Sequence, residues 1–249
     1  MKALITGASS GIGYDMAKYL SELGYDLIVV ARRKDRLELL SKEVKTNVQI
    51  IELDLSVEGN CKKLYNEVYI QNIDVLINNA GFGVFGEFTE TELDKEIELI
   101  NINIKAVHIL TKLFLKDMKE KNNGYILNVA SIAAFVPGPL MATYYSSKSY
   151  VLKLTESIYE ELKRVDSKVK ISVLCPGPVK TEFNTVANVK FNSKYLTSEY
   201  VAKYGINKML KGKLIIVPGI DIKIARVLSK IVPDKVIMKV TYKIQKRKI

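Results

Sequence analysis

Short apolar runs alternate along this chain with longer segments in which apolar residues recur every three or four positions. Continuous runs are typical of strands buried on both faces of a parallel sheet, and the longer repeats are typical of helices. The predicted strands are residues 2–6, 26–31, 48–53, 73–77, 125–129, 170–174 and 214–217. The predicted helices are residues 12–23, 35–44, 57–70, 92–118 and 144–164, followed by two segments separated by Pro233. This alternation predicts an α/β fold, a doubly wound parallel sheet of about seven strands with helices on both faces.

The organisation of the chain indicates one domain. Its 249 residues are 48% hydrophobic, and no repeat, low-complexity tract or linker separates two halves. We predict a main body over residues 1–222 and a helical extension of the same domain over residues 223–249. The first strand begins at Lys2, which leaves no room for a leader, and no apolar run reaches membrane-spanning length. We therefore expect an intracellular, cytoplasmic protein that is not integral to a membrane.

Positive charge is concentrated in the predicted extension. Residues 223–249 hold nine Lys or Arg and one acid, Asp234, which accounts for +8 of the formal net charge of +11. In its second helical segment lysines flank an apolar stripe: Val236, Ile237, Val240 and Ile244, with Lys235, Lys239, Lys243 and Lys246. Such a helix can lie on an anionic membrane surface, pack on a partner subunit or present a solvated face. We favour the last two over the membrane, and we expect no nucleic-acid binding because Tyr242 is the only aromatic residue there.

Metal and disulfide chemistry are not indicated by the sequence. The two cysteines, Cys61 and Cys175, lie 114 positions apart without a CxxC motif, and His108 is the only histidine. A zinc site or a disulfide framework needs more such residues at closer spacing. His108 lies among apolar residues of a predicted helix, and we interpret it as a packing residue.

A glycine-rich turn follows the first predicted strand. Residues 7–13, GASSGIG, lead directly into the first predicted helix. Glycine accepts unusual backbone angles and lets a phosphate approach the N–H groups at the start of a helix. The spacing G-x-x-x-G-x-G differs from the G-x-G-x-x-G of the standard dinucleotide fingerprint, and a merely tight connection is the alternative.

The second predicted strand ends in Arg32 and Arg33. In dinucleotide-binding sheets this position meets the adenosine ribose, where an acid favours NAD and an arginine accommodates the 2′-phosphate of NADP. Ala31 supplies no carboxylate, so we favour NADP. The alternative is that both arginines begin a solvated helix.

A phenol and a cation share one face of the predicted helix 144–164. Tyr144 and Lys148 lie four positions apart, and Ser131 precedes Tyr144 by 13 residues. A phenol has an ordinary pKa of about 10, which a nearby cation lowers, so Tyr144 is a candidate acid. The pair alone also fits a chance arrangement on a solvated helix.

Taken together and in order, these motifs resemble the short-chain dehydrogenase/reductase family in its single-domain form of about 250 residues. The match covers residues 2–181 and comprises residues 6–13, Asp54, residues 78–81, Asn103, Ser131, residues 144–148 and residues 176–181. The resemblance implies a Rossmann-like fold, an oxidoreductase activity and a homo-oligomer, either a dimer or a tetramer. The C-terminal part departs from the family pattern, in which a short strand leads to a Gly-Gly terminus used in tetramer packing.

The resemblance implies roles for four catalytic residues. Tyr144 would donate the proton in carbonyl reduction and accept it in alcohol oxidation, and Lys148 would promote ionisation of the phenol. Ser131 would hydrogen-bond the substrate oxygen as charge develops on it. Asn103 would hold a water that links Lys148 to solvent. We discount Tyr145, because only Tyr144 keeps the four-residue spacing.

The resemblance also implies a site for NADP(H), with NAD(H) less favoured. It assigns the pyrophosphate turn to Thr6, Gly7, Ser9, Ser10, Gly11 and Ile12. It assigns contacts with the adenine to Asp54 and Leu55, and contacts with the adenosine ribose to Asn79, Ala80 and Gly81. Tyr144 and Lys148 would lie on the nicotinamide side, and the carboxamide would meet Pro176, Gly177, Val179 and Thr181. Some members of the family hold the 2′-phosphate with a basic residue in place of Ser10, so the NADP prediction rests here on Arg32 and Arg33. Asp54 alternatively caps the next helix, and Asn78 is expected to join two strands without touching a ligand.

The segments that wall the substrate pocket in this family are mainly apolar here. They contain Phe135, Val136, Pro137, Leu140 and Met141, and after Thr181 they contain Phe183, Val186, Val189 and Phe191. The sequence therefore predicts hydride transfer between NADP(H) and a hydrophobic carbonyl compound or alcohol. The alternatives are a non-catalytic dinucleotide sensor or scaffold and a membrane-surface reductase of lipid-like ketones.

Overall fold

The structure of the chain, a computed structural model, describes residues 1–183, 196–229 and 231–246. Among these residues a parallel sheet of seven strands forms the centre of the fold, as predicted. Its strands are β1 (Lys2–Thr6), β2 (Asp26–Ala31), β3 (Val48–Glu52), β4 (Val75–Asn78), β5 (Tyr125–Val129), β6 (Lys170–Leu174) and β9 (Ile215–Ile216). A separate parallel pair, absent from the sequence prediction, consists of β7 (Val179–Lys180) and β8 (Leu196–Thr197).

The order of the strands creates a switch point beside β1. The order is β3-β2-β1-β4-β5-β6-β9, and every pairing is parallel. The chain runs outward from β1 to β3 and then crosses to β4 on the other side of β1. Because connections leave this point in opposite directions, a crevice opens beyond the carboxyl ends of the strands. The loops that follow β1 and β4 meet at this crevice.

Helices cover both faces of the sheet. One layer contains α1 (Gly11–Glu22), α2 (Lys34–Glu43) and α7 (Ser198–Leu210), and the other contains α3 (Glu58–Val68), α5 (Val107–Glu120) and part of α6 (Ala142–Arg164). Successive residues of β1 point to opposite layers: Ala3 and Ile5 lie in the first core, and Leu4 lies in the second. The strand is apolar at each of these positions because both of its faces are buried.

The long helix predicted over residues 92–118 contains an irregular turn. It begins as α4 (Leu93–Ile100), continues as a π-helical segment over Asn101–Ala106 and ends as α5. A π turn widens the helix and changes its hydrogen-bond register, and such turns are frequent at functional sites. The apolar periodicity of the sequence does not reveal it. Asn103 lies within this segment and is fully buried.

The helix α7 is absent from the sequence prediction. It contains Gly205, and glycine inside a helix costs about 1 kcal/mol relative to alanine. A Cβ at this position would lie 3.1 Å from the side chain of Leu174 and 3.4 Å from that of Met16. The glycine therefore allows α7 to approach α1 and β6 closely, and this packing stabilises a helix that the local sequence signals only weakly.

The C-terminal part of the chain forms two helices, as predicted. They are α8 (Ile220–Leu228) and α9 (Asp234–Lys246), with Pro233 directly before α9. The boundary predicted after residue 222 falls inside α8. Three of the basic residues counted in the extension, Lys230, Arg247 and Lys248, lie outside the described residues. In the part of the chain that the structure describes, no helix combines the length and the hydropathy needed to cross a bilayer.

Candidate active site

A cavity of about 980 Å³ lies beyond the carboxyl ends of the strands. Most of the predicted site residues line it: Gly7, Ser9, Ser10, Gly11, Ile12, Arg32, Arg33, Leu55, Asn79, Ala80, Gly81, Ser131, Tyr144, Lys148, Pro176, Gly177, Val179 and Thr181. Three predicted residues, Thr6, Asp54 and Asn103, do not line the cavity. The structure therefore gathers residues from both ends of the chain around one space.

Strained close packing shapes the glycine turn after β1. Gly7 adopts φ +67°, a conformation that side chains rarely allow. A Cβ on Gly13 would lie 2.3 Å from Asn79 Nδ2 and 2.5 Å from Gly7 O. Asn79 Nδ2 donates to the carbonyl oxygens of Thr6 and Gly7, both at 3.1 Å. The glycines thus let the turn lie directly against the loop that follows β4.

Thr6 fastens the same two loops from beneath the cavity. Its Oγ1 accepts hydrogen bonds from the backbone N–H groups of Asn79 at 3.0 Å and Ala80 at 3.1 Å. The side chain is buried at the end of β1, which explains why it does not reach the cavity. Thr6 therefore positions the loops rather than contacting a bound molecule.

The two arginines after β2 lie at the edge of the cavity, and each contacts an acid. Arg33 Nη2 donates to the hydroxyls of Ser9 at 3.1 Å and Ser10 at 3.0 Å, and its Nη1 pairs with Glu182 at 2.8 Å. Arg33 is thus held across the glycine turn, and the contact with Glu182 fixes it from the loop after β7.

Arg32 contacts two other acids, Glu98 and Asp54. Its Nη1 lies 2.8 Å from Glu98 and 3.7 Å from Asp54. The Asp54 carboxylate also accepts hydrogen bonds from the N–H and the hydroxyl of Ser56, at 2.9 and 2.8 Å. Asp54 therefore organises the turn before α3, and its side chain stays outside the cavity. It does not cap α3, the alternative interpretation of this residue, because the N-cap is Val57.

Three of the four predicted catalytic side chains, Ser131, Tyr144 and Lys148, line the cavity. Tyr144 and Lys148 are buried on α6, and Ser131 follows β5. Ser131 Oγ accepts the N–H of Ala133 at 3.1 Å, and the Ser131 side chain lies near enough to the Tyr144 phenol to affect its pKa. Lys148 Nζ donates to the Val129 carbonyl at 3.0 Å and lies 5.8 Å from the centre of the Tyr144 ring. A hydroxyl, a phenol and an ammonium thus share one enclosed site.

Burial moves the pKa values of these two side chains in opposite directions. It raises the pKa of the Tyr144 phenol well above its ordinary value, and the lowering of that pKa by the Ser131 side chain offsets this only in part. Burial lowers the pKa of Lys148 to about 8. The lowering of the phenol pKa that the sequence predicted from Lys148 does not outweigh burial here. Tyr144 is therefore protonated at neutral pH, in the form that can donate a proton.

Asn103 supports the site from behind. Its side-chain oxygen accepts the N–H of Phe82 at 3.1 Å, and its Nδ2 donates to the Phe82 carbonyl and the Ser147 hydroxyl, both at 3.0 Å. The side chain therefore ties the loop after β4 to α6, the helix that carries Tyr144 and Lys148. The water relay expected of Asn103 stays a prediction.

A polar network joins the strand ends beneath the cavity. Asn78 Nδ2 donates to Asn128 at 2.8 Å and to Thr111 at 3.0 Å, and Asn128 Nδ2 donates to Thr155 at 3.0 Å. These contacts confirm that Asn78 joins two strands, β4 and β5, and it does not line the cavity. Buried amide groups paired in this way fix the relative positions of the strands and of α6.

The C-terminal helices α8 and α9 form one wall of the cavity, which we call the roof. It consists of Ile222, Ala225, Leu228, Ser229, Val232, Ile237, Val240, Thr241 and Ile244. Three of these residues, Ile237, Val240 and Ile244, belong to the apolar stripe predicted from the sequence, but their position at the site was not predicted. Val236, assigned to the same stripe, does not line the cavity.

Two long-range contacts hold the roof in place. Gln245 Nε2 donates to the hydroxyl of Tyr145, and Arg226 lies over the ring of Phe135 at 5.1 Å. Gln245 is fully buried, and burial raises the pKa of Tyr145 to about 12. Tyr145 is thus a neutral part of the cavity wall, next to Tyr144.

The predicted substrate walls are only partly seen at the cavity. Val136, Met141 and Phe183 line it, whereas Phe135, Pro137 and Leu140 do not. The remaining predicted positions, Val186, Val189 and Phe191, lie outside the described residues. Among the described residues, the roof therefore contributes more apolar side chains to the cavity than the segments named from the sequence.

His108 does not line the cavity. His108 Nδ1 lies 2.7 Å from the Tyr150 hydroxyl, away from the main cavity. In residues 1–183, 196–229 and 231–246 no group of three or more His, Cys, Asp or Glu side chains is arranged to hold a metal ion.

The fold and this site define an oxidoreductase with a Rossmann-like sheet. The family model for short chain dehydrogenases matches residues 1–191, and the chain belongs to the short-chain dehydrogenase/reductase family. A 3-oxoacyl-[acyl-carrier-protein] reductase from Rickettsia typhi is 31% identical over 208 residues, which cover 82% of this chain and 83% of the relative.

Two solved structures share the fold over nearly the whole chain. A short-chain dehydrogenase from Sphingobium yanoikuyae in complex with NADPH has a TM-score of 0.82 and 26% identity, and covers 93% of this chain and 96% of its own. A family member from Burkholderia phymatum in complex with NAD has a TM-score of 0.83 and 23% identity, and covers 91% of each chain. Since these two structures hold different nicotinamide cofactors, the fold alone does not decide between NAD and NADP.

Proposed function

We propose that this protein transfers a hydride between NADP(H) and a hydrophobic carbonyl compound or secondary alcohol, with Tyr144 as the general acid and base. The observation that carries the proposal is the position of Ser131, Tyr144 and Lys148 in the same cavity as the glycine turn. A proton donor, a charge-stabilising hydroxyl and a phosphate-binding turn are what carbonyl reduction by a dinucleotide requires.

The residues of the turn fit the diphosphate of a dinucleotide. α1 begins at Gly11, and its first turn holds no acidic residue that would repel an anion. The N–H groups and dipole at the start of a helix attract phosphate. A Cβ on Gly7 would lie 2.8 Å from Ala80 Cα, so only glycine lets the turn lie this close to the loop after β4.

Arg33 supports NADP(H) over NAD(H). Its guanidinium lies across Ser9 and Ser10, beside the turn, and arginine binds phosphate through two parallel hydrogen bonds. Binding a 2′-phosphate would compete with the present contact to Glu182. Arg32 already faces Glu98 and Asp54, so we assign it the smaller share of the preference.

The side chains of the chain itself would handle the proton and the developing charge. Bound NADP(H) would supply the hydride in reduction and accept it in oxidation. Tyr144 is protonated at neutral pH and would give its proton to the substrate oxygen, while the Ser131 hydroxyl would hydrogen-bond that oxygen. Lys148, when charged, would stabilise the resulting phenolate, because an opposite charge nearby favours the ionised form.

The walls of the cavity favour an apolar substrate. Val136, Met141 and Phe183 face the catalytic side, and the roof adds valine, leucine and isoleucine side chains. Such walls bind a hydrocarbon-rich carbonyl compound better than a sugar or a small acid. We propose, in addition, a cytoplasmic homo-oligomer, which size-exclusion chromatography and cell fractionation would test.

The test is the loss of NADPH absorbance with a panel of aliphatic, aromatic and polycyclic carbonyl compounds. Tyr144→Phe should lower kcat by about 10²- to 10⁴-fold and leave the NADPH dissociation constant nearly unchanged, because general acid catalysis contributes that much. Tyr150→Phe is the matched control, since Tyr150 lies on the same helix outside the cavity. Unchanged turnover in Tyr144→Phe would refute the mechanism. Tight NADPH binding without turnover of any carbonyl compound would instead favour the non-catalytic sensor.

A further inference from the structure

The helix α8 has two apolar faces, and among the residues that the structure describes only one of them is covered. Ile222, Ala225 and Ser229 face the cavity as part of the roof. On the opposite side Ile220, Ile224, Val227 and Ile231 are 75, 55, 58 and 74% exposed. Their spacing of four, three and four positions places them along one line on the helix and its C-terminal turn. We call these four residues the outer stripe.

The neighbouring helix α9 presents positive charge on the side away from the cavity. Ile237, Val240, Thr241 and Ile244 line the cavity, at the spacing of one helix face. Lys235, Lys239, Lys243 and Lys246 project from the other side. Of the ion pairs found among the described residues, none involves a cation of α8 or α9. These four lysines, the lysine face, are therefore available to an anionic partner.

We propose that the outer stripe and the lysine face together bind the surface of an anionic lipid bilayer. The apolar side chains of the stripe would enter the boundary between headgroups and acyl chains, and the lysines would contact the lipid phosphates. Lysine suits this geometry because its long apolar stem lies along the surface while its ammonium stays hydrated. An exposed line of large apolar residues on an otherwise charged segment is expected at such an interaction site.

The charge of this segment favours a bilayer over a second copy of the chain. Residues 223–249 carry a net charge of +8 by sequence. A two-fold contact through the outer stripe would bring two such segments together, and juxtaposed like charges oppose association. An anionic surface is complementary to the same charge. The sequence prediction of a solvated face or a subunit contact concerned the apolar stripe of α9, three residues of which line the cavity. It did not consider the outer stripe, which lies on α8.

The proposed bilayer-binding surface lies close to the cavity. The helices that carry the outer stripe and the lysine face also form the roof, so a bilayer bound there would lie next to the cavity. An apolar carbonyl compound dissolved in the lipid would then reach the site over a short distance, a consequence that rests on the proposed function. The binding itself is independent of any reaction.

The test is sedimentation of the full-length protein with vesicles, which needs no activity. The protein should bind vesicles of phosphatidylcholine mixed with phosphatidylglycerol, and should bind phosphatidylcholine vesicles weakly. Binding should fall as salt is raised from about 0.1 to 1 M, because the screening length shortens from about 10 to 3 Å. Equal binding to both kinds of vesicle, or no binding to either, would overturn the proposal.

Substitutions distinguish the contribution of the outer stripe to vesicle binding from a general effect of added charge. Ile224→Glu combined with Val227→Glu should weaken binding to the phosphatidylglycerol vesicles by about tenfold or more, since apolar contact is lost and negative charge is added. Ile70→Glu is the control, because Ile70 is also exposed but lies shortly before β4. It therefore lies at the amino ends of the strands, whereas the cavity lies beyond their carboxyl ends. Circular dichroism of each variant checks that it is folded.

Two results with these variants would contradict the proposal. One is unaltered vesicle binding of the folded Ile224→Glu/Val227→Glu protein. The other is a change from dimer to monomer in that variant, measured by sedimentation velocity without lipid, which would mean that a second copy covers the outer stripe. Lys239→Glu with Lys243→Glu should likewise weaken binding to the anionic vesicles by about tenfold or more.

Discussion

The cofactor side and the roof of the cavity are built in different ways. The cofactor side consists of loops that directly follow strands, such as the glycine turn after β1 and residues 79–81 after β4. The roof consists of two helices near the end of the chain, and the hydrogen bond that fixes it joins Tyr145 to Gln245, 100 positions apart. The first arrangement follows from local sequence and strand order, whereas the second depends on how a terminal segment folds back.

This difference predicts that the two sides can be perturbed separately. Changes at the arginines should alter the choice of cofactor without altering the choice of carbonyl substrate. Changes in the roof should alter the substrate preference without altering cofactor affinity. A variant that moved both properties together would show that the cavity does not divide in this way.

Among changes confined to one side of the cavity, the largest effect is expected at Arg32 and Arg33. Arg32→Ala combined with Arg33→Ala should weaken NADPH binding about 10- to 100-fold and NADH binding far less, since charged hydrogen bonds to the 2′-phosphate are lost. The single Arg33→Ala change should account for most of this loss. Titration of each protein with both cofactors measures the ratio.

The matched control for these variants is Arg36→Ala. Arg36 is an exposed arginine of α2 that pairs with Asp35 and does not line the cavity. Its replacement should leave the preference for NADPH over NADH unchanged. Equal losses for both cofactors in the Arg32/Arg33 variant would refute the 2′-phosphate assignment.

An intermediate effect on kcat/KM is expected from pH, through Lys148, which lies where the cofactor side and the roof meet. Lys148 is charged below its lowered pKa of about 8 and neutral above it. The value of kcat/KM for NADPH, which reports the free protein, should therefore fall toward tenfold per unit as pH rises above about 8. A profile that stays flat from pH 7 to about 10 would show that the charge of Lys148 is not required.

The smallest effect is expected in the roof, where two valines of α9 form a natural pair of test sites. Val240 and Val236 are 49 and 48% exposed, but only Val240 lines the cavity. Val240→Ala should raise KM for an apolar carbonyl compound by about fivefold, since losing apolar contact between the valine methyl groups and the substrate costs about 1 kcal/mol. Val236→Ala should leave KM unchanged when assayed without lipid. An equal rise in both variants would show a general loss of roof structure.

Several features of the protein could be predicted from its sequence. The continuous apolar runs predicted the parallel sheet, because each strand is covered on both faces and has no polar side. The motifs after the strands predicted one shared site, because parallel strands bring their carboxyl ends to the same edge. The spacing of Tyr144 and Lys148 placed both side chains on one face of α6.

Other features required the tertiary structure. The sequence did not predict α7, since Gly205 weakens its local signal and close packing against Leu174 and Met16 compensates. The π turn at Asn103 changes hydrogen-bond register without changing the apolar pattern. Thr6, Asp54 and Asn103 proved to lie outside the cavity, because motif position does not tell whether a side chain points to a ligand or supports the loop beneath it.

The sequence by itself thus determined the class of fold, the family and the edge of the sheet where the site lies, because these depend on periodicity and on motifs within short segments. Only the tertiary structure decided what encloses the site and which groups are charged within it. The pKa of Tyr144 is raised by burial despite the nearby lysine, and burial is a property of the folded chain. One face of α8 lies on the cavity and the other is exposed among the described residues. This difference is likewise decided only when the helix is placed against the rest of the protein.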